Sequence, residues 1–368
     1  MSRRDVDPLA LDDIIDERKE EIEKESVPLC AHHHAPALIP TKVLRGHTEV
    51  VTSCQFCFDD TKVLTSSQDQ KAILWDAESG AALMVYESGH LSNISECALV
   101  PNKKRLITAS WDKSLIAWDL ETGKICWTAS QGGLLTSCSV SGDGKYVVSS
   151  SDPENVLYLN SAETGERILQ VKGHHKAMIT RCRFDAQSQH VASVSEDRVI
   201  KLLDMVSNKT TLSINSNHTN VISNCCFTPN GRQLCTASWD KTLRLWDIQT
   251  GSYRSHGGLT LDKGHDGSIS SCVFSSDGSV LVSGSYDRTV AVWDMDAVCR
   301  TVVLKGHGDW VTDVSISADK NWVASASKDT TVRLWNIEHS EEIPAVVETR
   351  KTQGMGYHIL KVGRNCTV

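Results

Sequence analysis

The stretch SWDKTLRLWD at residues 238–247 returns nearly letter for letter as SWDKSLIAWD at 110–119. The copies lie 128 residues apart, three times about 43, and such a ratio predicts further copies between and beyond them. They are found by searching for a His, then an Asp, then Trp-Asp. His47, Asp69 and Trp75-Asp76 form a first unit, and His90, Asp112 and Trp118-Asp119 a second. His174, Asp197 and Leu203-Asp204 make a fourth, and His218, Asp240 and Trp246-Asp247 a fifth. His265, Asp287 and Trp293-Asp294 follow, then His307, Asp329 and Trp335-Asn336. Asp trails His by 22 or 23 residues in each, and the Trp position trails Asp by six. The 84 residues from His90 to His174 leave room for a degenerate third unit around Gly132-Gly133, Asp152 and Leu159-Asn160. Seven units result.

Within a unit, two apolar runs flank a turn, as in VISNCCF, TPNG and RQLCTAS, and Asn-Gly or Asp-Gly there favours a tight hairpin. A third run (TLRLW, TVRLW) alternates apolar and polar residues, and a fourth precedes the next Gly-His. One four-stranded unit cannot bury both faces of its own sheet, so the units must pack face to face around an axis.

A period of about 40–45 carrying GH and WD resembles the WD40-repeat β-propeller family over roughly residues 40–338. The resemblance implies an all-β, seven-bladed WD40 β-propeller spanning 38–338, closed by an N-terminal strand. The run TKVLRGH at 41–47 has no blade before it, and the family pairs such a strand with the last blade, here within 310–337. In the family, His, a strand Ser or Thr, the turn Asp and the Trp form a hydrogen-bonded network. The members here are His47, Asp69 and Trp75; His90, Asp112 and Trp118; His174 and Asp197; His218, Asp240 and Trp246; His265, Asp287 and Trp293; and His307, Asp329 and Trp335. Each polar member is costly to bury alone, and together they satisfy one another.

Ser, His and Asp are also the parts of a hydrolase triad. The same set at six places around one ring argues for framework rather than for one activated nucleophile. No nucleophile elbow, P-loop, HExxH or Rossmann fingerprint stands in a suitable context. The reading is therefore non-enzymatic, with no cofactor.

Six of the 13 cysteines, Cys54, Cys97, Cys138, Cys182, Cys225 and Cys272, share one position on the strand nearest the axis, where the last unit has Val314. They read as small buried hydrophobes on blades that diverge beyond disulfide reach, about 7 Å between Cα atoms. With no signal peptide or membrane span in the sequence, the expected compartment is the reducing cytoplasm, and also the nucleus. Cys54 and Cys57 are spaced CxxC, but three residues apart on a strand puts them on opposite faces, with no second pair. CAHHHAP at 30–36 reads as an exposed polar stretch, so no metal site is assigned.

The net charge of −8, with ten acids against five bases in residues 1–25, argues against nucleic acid as a partner. Those residues belong to an acidic segment, 1–37, where Asp7 and Pro8 can open a short helix with Leu11, Ile14, Ile15 and Ile22 on one stripe. Residues 339–368 lack repeat signals and read as a C-terminal tail.

The resemblance places function on surfaces. In the family, the residue before the turn Asp and residues just after the GH surround the channel mouth on the top face. The first set here is Gln68, Trp111, Ser151, Glu196, Trp239, Tyr286 and Lys328, and the second includes Val50 and Trp310. Trp and Tyr are the side chains that anchor protein interfaces. The expectation is a scaffold that holds other proteins, as peptides or domains, on this face, monomeric within hetero-complexes and without membrane attachment. Extra length around SYRSHGG at 252–258 marks a second contact site. A structural part of a large assembly such as a cilium competes with this reading, as does a quinone-cofactor propeller enzyme. Cullin receptors of the family commonly carry Arg or Lys two residues after WD, where this chain has Glu78, Glu121, Gln249, Asp296 and Glu338.

Overall fold

The computed structural model describes residues 39–338 except 102–103, 252–260, 262–263 and 298. The readings made for the acidic segment, for CAHHHAP, for the C-terminal tail and for the 252–258 loop fall outside those residues.

Consecutive antiparallel strands build seven sheets. The first blade runs Val51–Cys57, Lys62–Ser67, Ala72–Asp76 and Ala82–Tyr86 from inside to outside. Blades two to seven begin with Ile94–Val100, Leu134–Val140, Ile179–Phe184, Ile222–Phe227, Ile269–Phe274 and Val311–Ile316. The fifth shows three strands among the described residues. Second strands such as Gln233–Ser238 are buried at every residue but the first, because neighbouring blades cover both faces of the sheet. For the same reason the third strand Leu243–Asp247 is buried except at Arg244, a weaker alternation than its sequence suggests. Outer strands such as Ile125–Ser130 stay largely exposed. The hairpin glycines Gly231 and Gly278 take φ of +67° and +77°, conformations that an L side chain resists.

An apolar cluster fills each junction between blades. Val63, Ile73 and Trp75 of the first blade meet Ala324, Val332 and Leu334 of the seventh, and Val282 and Val292 of the sixth meet Val311 and Val323. Fully burying each aliphatic side chain is worth about 1.5–3 kcal/mol. Cys54 and Cys57 face different clusters, as alternation along a strand requires.

Closure joins the two ends of the repeat. Thr41–Arg45 pairs antiparallel with Thr331–Asn336, from Thr41 opposite Trp335 to Arg45 opposite Thr331. Leu44 of this strand is buried in the cluster between blades seven and one. Hydroxyl pegs add a second link between blades. Thr52 donates to the carbonyl of Ile94 (2.8 Å), Thr136 to Ile179 (2.6 Å), Ser223 to Ile269 (2.6 Å) and Ser270 to Val311 (2.6 Å). Thr312 donates to Val51 and so pegs the last blade to the first. Among the described residues no such peg enters the third blade, where Ser95 donates to Ala109 of its own blade.

The axis is charged. Arg181 of blade four contacts Glu96 of blade two at 3.2 Å and Asp313 of blade seven at 3.1 Å, with all three side chains at most 9% exposed. Arg183 also reaches Glu96. Burial opposes the charge on Glu96, but the guanidinium groups of Arg181 and Arg183 outweigh it and hold the carboxyl below its usual range. Asp313 is pushed up instead, by burial and by Glu96, with Arg181 only partly offsetting. The six cysteines of the repeated inner position are buried beside this axis, and burial pushes the Cys97 thiol up to about 12.

Candidate functional site

The residues expected at the top-face rim adjoin the network inside the blades. In the first, His47 Nδ1 lies 2.8 Å from Asp69 Oδ2, and His47 Nε2 lies 2.8 Å from Thr65 Oγ1. Trp75 Nε1 donates to the same hydroxyl at 2.9 Å, and Asp69 also accepts the N–H groups of Thr48 and Lys71. The pattern recurs at His90–Asp112–Thr108–Trp118 and at His218–Asp240–Thr236–Trp246. Blades six and seven repeat it with Ser283 and Ser325 as the hydroxyls, joined to His265, Asp287 and Trp293 and to His307, Asp329 and Trp335. Burial works against the turn carboxylates, but the hydrogen bonds from His and from backbone N–H groups hold Asp69, Asp112, Asp240, Asp287 and Asp329 below the usual range.

Blade four departs from the sequence reading. The residue bonded to Asp197 is His175, at 3.0 Å, and not His174. With His175 the His-to-Asp spacing is 22 residues, as in the other five units, and that uniformity is the signal that distinguishes the two histidines. His174 instead replaces the missing indole. Leu203 stands where the other blades have Trp, and His174 Nε2 lies 2.9 Å from Ser193 Oγ, the hydroxyl that His175 also contacts at 2.9 Å. Space explains the exchange. A Cβ at Gly46, Gly89 or Gly264 would come within 2.8, 2.4 or 2.0 Å of the blade's own indole, so a side chain can point inward before the network His once the Trp is gone, whereas Asn217 beside Trp246 takes a φ of +55° and stays exposed.

Blade three builds another network. Gln131 Nε2 donates to Asn160 Oδ1 at 3.0 Å, Arg167 donates to Gln131 Oε1 at 2.7 Å, and Gly132 N–H donates to the Tyr158 hydroxyl. Ser149 occupies the place of Thr65 and Thr108, and its buried Oγ is left without a partner among the described residues. The sequence exposes the loss of the His and Trp here but not the replacement, because Gln, Asn, Tyr and Arg follow no repeat.

One backbone bond in each of six blades holds these positions. Gln68 N–H donates to Val50 O (2.9 Å), Trp111 to Asn93 (2.9 Å), Glu196 to Met178 (3.0 Å), Trp239 to Val221 (2.9 Å), Tyr286 to Ser268 (2.9 Å) and Lys328 to Trp310 (2.8 Å). The two sets of rim positions therefore meet in pairs. Trp239, Tyr286 and Trp310, from blades five, six and seven, form one patch. Ring centroids lie 6.2 Å apart for the first pair and 4.6 Å for the second, which is stacked, and Lys328 Nζ sits 4.3 Å over the Trp310 ring. Trp239 and Trp310 remain 37% and 45% exposed, so stacking fixes the rings without covering them. Trp111 is 44% exposed on blade two, away from this patch; Glu196 is exposed on blade four, while Val50 and Gln68 are half-buried on blade one. Ser151 does not join the rim, being fully buried.

The hydroxyls of the Ser-His-Asp sets lie under indoles. Ser283 and Ser325 are 0% exposed and accept Trp N–H, so no substrate can approach either oxygen.

The family model for the WD domain, G-beta repeat, matches residues 38–76, 82–119, 165–204, 209–247, 258–294 and 298–336, and passes over the blade built on Gln131 and Asn160. WD repeat-containing protein 88 of Homo sapiens is 46% identical to this chain over 160 residues, covering 44% of this chain and 34% of its own length.

Proposed function

This chain belongs to the WD40 family of G-beta repeat propellers, and on that premise we propose a scaffold that captures other proteins on its top face, through the aromatic patch of blades five to seven. The family's propellers are generally non-enzymatic interaction scaffolds, and the buried network hydroxyls accord with that role. The observation that carries the finer reading is the Trp239–Tyr286–Trp310 patch, two exposed indoles held in register by the half-buried Tyr286 between them. Such pre-ordered rings lose little conformational entropy when a partner covers them. Lys328 over Trp310 gives the patch a charged border, with Trp111, Glu196, Val50 and Gln68 as a wider rim. The chain acts as a monomer within hetero-complexes, in the cytoplasm and the nucleus, with residues 1–37 as a second attachment.

The test is quantitative affinity capture from cells with Trp239→Ala/Tyr286→Ala/Trp310→Ala, after circular dichroism and melting show that the variant folds. Selective loss of a small set of partners is the expected result. An unchanged set of captured proteins rejects this patch as the working surface.

A further inference from the structure

Three thiols converge between blades five and six. Cys226 and Cys235 lie directly opposite each other on the first two strands of blade five, and Cys272 comes from the inner strand of blade six. Their sulfurs all lie within 4.8 Å of one another, with Cys226 Sγ and Cys272 Sγ 3.5 Å apart. Cys226 and Cys235 stand outside the repeated cysteine position, so the sequence reading of that position does not cover this junction. Cys226 lies one residue after the repeated cysteine position and points into the junction with blade six.

The framework does not require this cluster. At the positions of Cys226 and Cys235, other blades carry Gln55 opposite Leu64, Ala98 opposite Ile107, and Val273 opposite Val282. Ordinary packing fills the same space elsewhere, so three sulfurs at one junction are a local feature.

We infer that Cys226, Cys235 and Cys272 form a binding site for a soft monovalent cation, Cu(I). Among the described residues no fourth Cys, His, Asp or Glu joins the group. Zn(II) in a structural site takes four ligands in a tetrahedron and would need a water here. That water would sit among Leu245, Phe274, Leu281 and Trp293, which offer it no acceptor side chain. Cu(I) is selected by thiolates and accepts three sulfurs in a plane. Binding breaks Sγ–H bonds and forms Sγ–Cu bonds, and the protons pass to solvent. Copper enters and remains as Cu(I), so no electron is transferred. The bound ion ties blade five to blade six at their inner strands.

The experiment uses the full chain, reduced and anaerobic, loaded with Cu(I) supplied as its bicinchoninate complex in excess chelator. The expected result is one Cu(I) retained per chain, an X-ray absorption spectrum showing three sulfur neighbours, and a melting temperature raised by the metal. Cys226→Ala/Cys235→Ala, alanine being native to Ala98 and Ala192 at equivalent places, is expected to fold and to lose both the copper and the increment. Cys97→Ala/Cys225→Ala keeps both. Should the first variant not fold, Cys235→Ala alone decides, with sulfur neighbours falling from three to two. Complete surrender of copper to the chelator by the wild type overturns the inference, as does equal retention by Cys226→Ala/Cys235→Ala. A Zn(II)-induced rise in melting temperature that vanishes in that variant overturns the choice of metal.

Discussion

In blades one, two, six and seven, a glycine before the network histidine and an indole six residues after the turn Asp are two ends of one steric constraint, while blade five keeps Trp246 with an exposed Asn217 turned aside at a φ of +55°. Where the indole is present, a Cβ on that glycine collides with it, and where Leu203 replaces the indole, His174 fills the space and bonds Ser193. Leu203→Trp alone should therefore overpack blade four and cost about 1–3 kcal/mol. His174→Gly/Leu203→Trp should recover most of that loss, giving a favourable coupling in a double-mutant cycle measured by urea denaturation. Additive losses would show that the two sites do not share the space. The same residues set the acid limit. Burial, reinforced by the neighbouring His175, pushes His174 down to about 3, so the fold holds it neutral. Its contribution is complete above the unfolded value, about 6.5, and is lost as pH falls from there toward 3. Asp197, lowered to about 2 by its bonds to His175 and to backbone N–H groups despite opposing burial, contributes above about pH 4 and fails toward 2. His174→Gln does not titrate, so its stability should fall less steeply between pH 6.5 and 4 than that of the wild type. Parallel curves from denaturation at stepped pH would contradict this account.

At the level of strands, the ring depends on one short segment that belongs to no complete repeat. Thr41–Arg45 covers the open edge of Thr331–Asn336, and its Leu44 fills the junction on which Trp75 packs. Removing residues 38–46 leaves a row of unpaired strand N–H and C=O groups and an open apolar junction. The expected result is cooperative loss of the entire propeller, seen as one lost melting transition together with aggregation. A shortened chain that melted within a few degrees of the wild type would show that the hydroxyl pegs and the cluster between blades one and seven suffice. The third blade shows the complementary case. Among the described residues it lacks the His-Asp-Trp network and the peg at its entrance, yet Gln131, Asn160, Tyr158 and Arg167 tie its strands together.

Across the whole molecule, the blades also meet through the charges on the axis. Arg181 of blade four reaches Glu96 on blade two and Asp313 on blade seven, so three blades that are not neighbours share one guanidinium. Breaking a buried pair by removing one partner strands the other charge and costs about 3–5 kcal/mol. Arg181→Met should lose that much in a denaturant titration with an unchanged slope, and Asp313→Asn in the same background should restore part of it, since Glu96 keeps Arg183. A loss below about 1 kcal/mol would mean that water screens the channel.

The repeat determined the number of blades, and the family resemblance built on its spacing implied the closing strand and five of the six His–Asp pairs, because each recurs at an interval that the blades share. His175 was legible in principle through the constant 22-residue interval, though the adjacent His174 hides it. What only the tertiary structure decided lies between blades or across the axis. The Trp239–Tyr286–Trp310 patch joins blades five, six and seven, the Glu96–Arg181–Asp313 cluster blades two, four and seven, and Cys226 meets Cys272 across 46 residues. A periodic pattern records what each unit shares with the next, and contacts made by residues that differ from blade to blade leave no period to read.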